Sequence, residues 1–278
     1  MIHTYGQLQE QYTRREIDRF VSEGTLGRAG PYLVTPDTDD AIVAALRKGL
    51  RSTCLTAARH HGLWTPPGPG RHVYGRRGKR VPPGWIGHGY HHAWPEADPV
   101  ASPALLIEHA ARCLDPIDVG ILADSALHLE LLHEADVEAI RRASPRRVQR
   151  VLAHASKLAE SGTESKVRLH LALRRVPVRA QAMIDGVGQV DLLVGERWIL
   201  ECDSKEYHRG EEAYGKDRRR DFNSDALGYR SSRLTYEMCF AEWDETTEWL
   251  TRMLATGEHL VPPEQWRRTR RVRREHRR

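Results

Sequence analysis

The chain has 278 residues, 40% of them hydrophobic, which is long enough for two domains of ordinary size. No apolar run approaches the roughly 20 residues that a membrane-spanning helix needs, and the polar opening Met1–Glu10 lacks the charged-then-apolar pattern of a secretory signal; a soluble, cytoplasmic protein with no membrane partner is expected. The net charge of +5 is concentrated, because the last fifteen residues hold eight arginines and two glutamates and leave 35 basic and 36 acidic residues in a nearly neutral body.

In chain order, the first expected unit covers residues 1–38. Thr13 can cap a helix over Tyr12–Glu23 in which Ile17, Phe20 and Val21 recur at helical spacing and Glu16 stands three residues after the cap. A glycine-containing break and a short apolar strand, Pro31–Thr35, follow. Helix, turn and wing are compatible with either a nucleic-acid-binding wing or a packing module.

Residues 39–158 read as a mainly helical middle region. Helices are expected over Asp39–Gly49 and Ser52–His61, then throughout Ser102–Leu158, where Ser102 and Pro103 make a good helix start. Between them lie a basic stretch, Arg71–Arg80, and a histidine-rich one, His88–His92. The histidines have no acidic or cysteine partner at helical spacing, which favours a loop or a sheet face over a metal site. Cys54, Cys113, Cys202 and Cys239 are far apart with no C-x-x-C pair, which argues against a disulfide scaffold or a cysteine-built zinc ribbon.

Residues 159–258 change character. A helix, Thr163–Arg175, precedes strands at Pro177–Ile184, Gln189–Val194 and Arg197–Asp203, a polar loop and helix ending at Gly228, a strand at Tyr229–Tyr236 and a helix at Ala241–Ala255. That order suits an α/β (α+β) domain, a mixed sheet flanked by helices. Residues 259–278 read as a basic, disordered tail whose Arg267, Arg268, Arg270, Arg271, Arg273 and Arg274 can neutralise phosphates, or as a solvated end.

The carboxylates carry the chemistry. Strand alternation puts Trp198, Leu200 and Cys202 on one face and Ile199, Glu201 and Asp203 on the other. Acids in neighbouring strands of an apolar sheet are costly unless something neutralises them. A hard divalent cation would do so, with Asp191, Glu201 and the Cys202 carbonyl as ligands and Glu164 as a further oxygen; the other reading is a hairpin with a polar, solvated face. One ion cannot serve carboxylates on opposite sides of a sheet. A two-residue loop at Gly195–Glu196 would separate Asp191 from Glu201, whereas a three-residue loop, Gly195–Arg197, would pair them.

Glu164, Asp191 and Glu201-Cys-Asp203, with Tyr207-His208, Asp217–Asp221 (D-R-R-R-D) and Gly228–Thr235 (G-Y-R-S-S-R-L-T), form an ordered set over about residues 160–240. This set resembles the PD-(D/E)XK nuclease superfamily, and more closely its branch similar to very-short-patch-repair endonucleases. The resemblance implies a restriction-endonuclease-like fold and Mg²⁺- or Mn²⁺-dependent endonucleolytic hydrolysis of nucleic acid, DNA before RNA, in phage defence or a toxin–antitoxin-like system. It implies Asp191 and Glu201 as metal ligands, with Glu164, Asp203, Lys205 and His208 completing the catalytic set, and Arg218, Arg219 and Arg220 beside bound nucleic acid. The sequence departs from the pattern at Ser204, where a glycine is usual, and at Asp203, where many members have lysine; Lys205 could substitute. The N-terminal segment is similar to the winged helix of abortive-infection antitoxins. A DNA-binding regulator that retains the nuclease fold, and an RNA-cleaving toxin, are the alternatives, and a homodimer is compatible with each.

Overall fold

The computed structural model describes residues 1–75, 79–89, 98–203 and 222–275, with side chains to residue 269. The chain divides into two compact units, one built from Met1–Asp115 and Leu131–Arg146, the other from Pro116–Glu130 and Arg147–Arg278. Both mix helices and strands, as the α/β (α+β) expectation requires. No helix among the described residues is long and apolar enough to cross a membrane.

The first unit opens with Ile2–Thr4 (β1), Tyr5–Gln9 (α1), Arg14–Ser22 (α2), Gly27–Ala29 (β2) and Tyr32–Val34 (β3). The three strands form an antiparallel sheet in the order β1-β3-β2. The cap on α2 is the one its sequence predicts: the Thr13 N–H donates to Glu16 Oε2 at 2.8 Å, and Thr13 Oγ1 accepts from the Glu16 N–H. Ile17 meets Leu8, Leu26 and Leu33 in a small core. Asp39 caps Asp40–Arg47 (α3). Arg51–Ser52 (β4), Cys54–His60 (α4), Arg71–Tyr74 (β5) and Trp85–His88 (β6) follow. Their sheet runs β4-β5-β6, with β5 and β6 parallel. Pro103–Ala110 (α5), capped by Ser102, packs against Glu134–Ala143 (α7), which returns to this unit after Pro116–His128 (α6) has left it.

The second unit contains α6, Arg146–Leu152 (α8, starting at the boundary) and Gly162–Leu173 (α9). Val178–Ile184 (β7), Gly188–Val194 (β8) and Trp198–Cys202 (β9) come next, then a helical segment at 222–226 (α10) and Arg230–Leu234 (β10). The sheet order is β10-β9-β8-β7, antiparallel except for the β9–β10 pair. Tyr236–Phe240 (α11) and Trp243–Ala255 (α12) follow. Leu192, Val194, Trp198, Leu200 and Cys202 face Val167 and Leu171 of α9 and Leu250 of α12 in one core. Ile199 belongs to a second cluster with Leu193, Ile184 and Val190, on the opposite side of β9 from Trp198, Leu200 and Cys202, in agreement with the alternation read from sequence for that strand.

Two segment boundaries need correction. Residues 39–158 are not a body of their own, because α6 and most of α8 belong with the sheet domain. Helix α6 packs on α9, and within that contact Arg168 of α9 reaches Asp124 of α6 at 2.7 Å in a buried ion pair and also donates to the His154 carbonyl. The basic tail is likewise not wholly disordered, since Pro263–Glu275 forms a helix (α13). Trp266 holds its first turns, with the Arg197 guanidinium 4.1 Å from the ring centroid.

Candidate active site

The site is built at one level of the four-stranded sheet. Strands β8 and β9 pair Val194 with Trp198 and Leu192 with Leu200, so the connection is the three-residue turn Gly195–Arg197. This is the register that a shared ligand face requires. Gly195 makes it possible: its φ is +59°, and a Cβ there would lie 2.3 Å from the His259 carbonyl oxygen. Continuing the register one step puts Asp191 opposite Glu201, and the hydrogen bonds agree. The Cys202 N–H donates to Asp191 Oδ2 at 2.8 Å, and the Asp191 N–H donates to Glu201 Oε2 at 3.3 Å. Carboxylates have replaced the backbone ladder at the level where the two strands stop pairing.

Glu164 is supplied by the first turn of α9. Ser161 caps that helix and donates its hydroxyl to Glu164 Oε1 at 2.9 Å, while the Glu160 N–H holds Oε2. Gln181 of β7 adds a third hydrogen bond, from Nε2 to Glu164 Oε2 at 2.6 Å. The Gln181 backbone is left-handed, φ +49°, between the pairs Ala180–Leu192 and Ala182–Val190. It therefore kinks β7 directly opposite Asp191. A non-glycine residue held there is strained, and such strain concentrates where side-chain placement matters. On the other side, Arg233 of β10 is level with Glu201 and lies 3.7 Å from Asp203. One row across the sheet thus reads Gln181, Asp191, Glu201, Arg233.

The electrostatics at this level of the sheet are set by burial and by the neighbouring acids. Burial raises the Asp191 carboxyl to about 7, and the negative charges of Glu201 and Glu164 push the same way, opposed by the Cys202 N–H. Burial also raises Glu164, with its three hydrogen bonds opposing. Glu201 and Glu164 thus add negative charge at Asp191, and oxygen atoms are the kind of donor that a hard divalent cation takes.

The other expected residues fare differently. Asp203 turns to Arg233, and its N–H donates to the Leu234 carbonyl. The Cys202 carbonyl, expected as a metal ligand, accepts the Thr163 hydroxyl at 3.3 Å, and the Cys202 side chain is packed in the core on the opposite face. Lys205, His208, Arg218, Arg219 and Arg220 lie outside the described residues. Arg267 and Arg268 are exposed on α13, whereas Arg270, Arg271, Arg273 and Arg274 belong to that helix beyond the described side chains. Sequence reasoning missed Gln181, for which a strand interior gives no signal, and Arg233, which is present in the G-Y-R-S-S-R-L-T segment without being singled out. A cavity of about 460 Å³ lined by Arg197, Arg230, Glu258 and Trp266 among others shares no residue with the carboxylate row.

A pH dependence follows. A carboxyl raised from 3.8 to about 7 favours the folded state while protonated. Its contribution is complete below about pH 4 and is lost as the pH rises towards 7. Metal-free protein should therefore lose about 2 kcal/mol over that interval relative to Asp191→Asn, allowing for partial solvent screening. Urea unfolding of both proteins at a series of pH values measures the difference, and parallel profiles would count against the burial of charge argued here.

No protein-family model matches the sequence, and no curated relative does. A solved structure similar to part of the chain is the crystal structure of RV2827C protein from Mycobacterium tuberculosis, with 12% identity over 61% of this chain and 76% of that one. Its TM-score of 0.30 is too low to carry an argument about fold or function.

Proposed function

We propose that the second unit is a restriction-endonuclease-like domain of the PD-(D/E)XK type that hydrolyses phosphodiester bonds in nucleic acid, DNA before RNA, with Mg²⁺ or Mn²⁺. The observation that supports this most is the pairing of Asp191 with Glu201 beside Glu164. Asp191 and Glu201 would hold the cation, which when bound supplies charge stabilisation at phosphorus and an activated water. Glu164, locked by Ser161, Gln181 and the Glu160 N–H, keeps a third carboxylate at the site in a fixed orientation. Arg233, level with Glu201 at the sheet edge, offers a cation to a phosphate oxygen. Lys205 and His208 retain the roles the resemblance gives them. The first thirty-eight residues would contribute a winged-helix contact to nucleic acid, and the protein would work in the cytoplasm, in phage defence or a toxin–antitoxin-like system.

The test is incubation of the full chain with double-stranded DNA, single-stranded DNA and RNA, in Mg²⁺, Mn²⁺ or EDTA, beside Asp191→Ala. Cleavage that needs both the metal and Asp191 supports the proposal. Binding without cleavage under all these conditions would overturn it in favour of a DNA-binding regulator, a second reading favoured by the arginine-rich α13 and by Asp203 at a position where lysine is usual.

The same helix yields a salt prediction. Removing residues 267–278 leaves the Trp266–Arg197 contact in place but takes away eight arginines. Nucleic-acid affinity should fall, and the slope of log affinity against log salt should become shallower by about 0.9 for each DNA phosphate given up. Fluorescence anisotropy at several salt concentrations measures both; an unchanged slope would make α13 a bystander.

A further inference from the structure

We infer that the first unit holds a structural zinc ion between Cys54, His72, His88 and Cys113, a site separate from the carboxylate row. One ligand atom from each of these residues lies within 4.8 Å of the other three. His72 Nδ1 is 3.0 Å from His88 Nε2 and 3.8 Å from Cys113 Sγ. Tetrahedral zinc with bonds of about 2.0–2.3 Å sets its ligands roughly 3.3–3.8 Å apart, so separations that all lie within 4.8 Å close on an ion with side-chain shifts of about 1 Å or less.

Each ligand comes from a different element. Cys54 begins α4, His72 lies in β5, His88 ends β6, and Cys113 follows α5. An ion there would tie both helices to two parallel strands whose own apolar cluster, Ala45, Leu50 and Val73 with Trp85, is small. The Cys54 backbone is left-handed, φ +47°, at the start of a helix. No side chain benefits from that conformation, and a residue keeps it only where its surroundings fix it.

The chemistry of the donors selects the ion. Two sulfurs and two imidazoles suit zinc and not the hard cation of the carboxylate site. His72 and His88 are drawn together by geometry, with His72 buried in β5 and its ring tilted against that of His88. Coordination releases the thiol protons, and Zn²⁺ with two thiolates and two neutral imidazoles has no net charge, which suits a buried position. His88 and Cys113 border a cavity of about 180 Å³, which gives the ion a way in. His109, stacked on His88 and held by the Thr53 hydroxyl at 2.8 Å, fixes the ring from outside.

The test uses the full chain, free of any histidine tag, purified under reducing conditions. Elemental analysis should find about one zinc per chain in the wild type and in Asp191→Ala. Replacement by Co²⁺ should give tetrahedral visible bands with a thiolate charge-transfer band. Cys113→Ala and His88→Ala, which alter the more accessible ligands, should lose both signals. Should either variant fail to fold, chelation of the wild type decides: removing zinc should lower the melting temperature and expose two more thiols to a thiol reagent. Absence of zinc and of cobalt bands from the wild type, a cobalt spectrum without thiolate charge transfer, or zinc that disappears with Asp191 instead of Cys113 would overturn the inference. A nuclease assay is not involved, so this result and that of the proposed function are independent.

Discussion

Asp191→Ala should reduce metal-dependent cleavage by about a thousandfold or more, equivalent to roughly 4 kcal/mol of lost transition-state stabilisation. Asp191 pairs directly with Glu201 and accepts the Cys202 N–H, so its removal takes away a proposed metal ligand and the group that orders the end of β9. Asp191→Asn separates these effects, because the amide oxygen can still accept from Cys202 while the charge is gone. If Asp191 serves the cation, both variants lose cleavage to a similar extent. The asparagine variant should also be at least as stable as the metal-free wild type at neutral pH, since it no longer holds a carboxyl whose charge burial disfavours. Rates on labelled DNA and RNA, read beside thermal melts, check both points. A residual rate within tenfold of wild type in a folded Asp191→Asn would exclude Asp191 from the reaction.

Much of this site was legible in the sequence because strand parity is strict. Asp191 and Glu201 share a level only if the turn has an odd length, and Gly195 provides the left-handed residue for it. Glu164 was legible too, as an acid near the start of the helix expected over Thr163–Arg175, whereas its Ser161 cap was not. Gln181 was not, because its positive φ arises from how β7 bends against α9 and β8, and no local residue announces that bend. The Cys54–Cys113 cluster was hidden for another reason. Its ligands are 18, 16 and 25 residues apart on elements that only the tertiary fold assembles, so no spacing rule applies. The helical tail was masked by composition: the arginines suggest disorder, while Pro263 at the helix start and Trp266 on Arg197 anchor its first turns. The division into units was obscured in the same way, since Asp124 and Arg168, 44 residues apart, each look like surface charges until they are seen together.

Breaking that pair should cost about 3–5 kcal/mol, because either single substitution strands a buried group. The Asp124 side chain is fully buried and that of Arg168 is 9% exposed. Asp124 accepts Arg168 at one oxygen and the Ser156 N–H at the other, and Arg168 also donates to the His154 carbonyl. Together these bonds pin α9 to α6 and to the chain after α8, and so fix the helix whose first turn carries Glu164. Asp124→Ala leaves a guanidinium in the core with no counter-charge; Arg168→Met leaves the opposite charge. Each should unfold at markedly lower urea. The double variant Asp124→Leu/Arg168→Met should recover most of the loss, since an apolar pair of similar volume avoids desolvating two ions. The recovered protein then isolates the pair's positioning role. If Arg168 sets the position of Glu164, divalent-metal affinity measured by calorimetry should remain weakened in the double variant although its stability has returned. Full recovery of both stability and affinity would show that the ion pair holds the two helices together without bearing on the site.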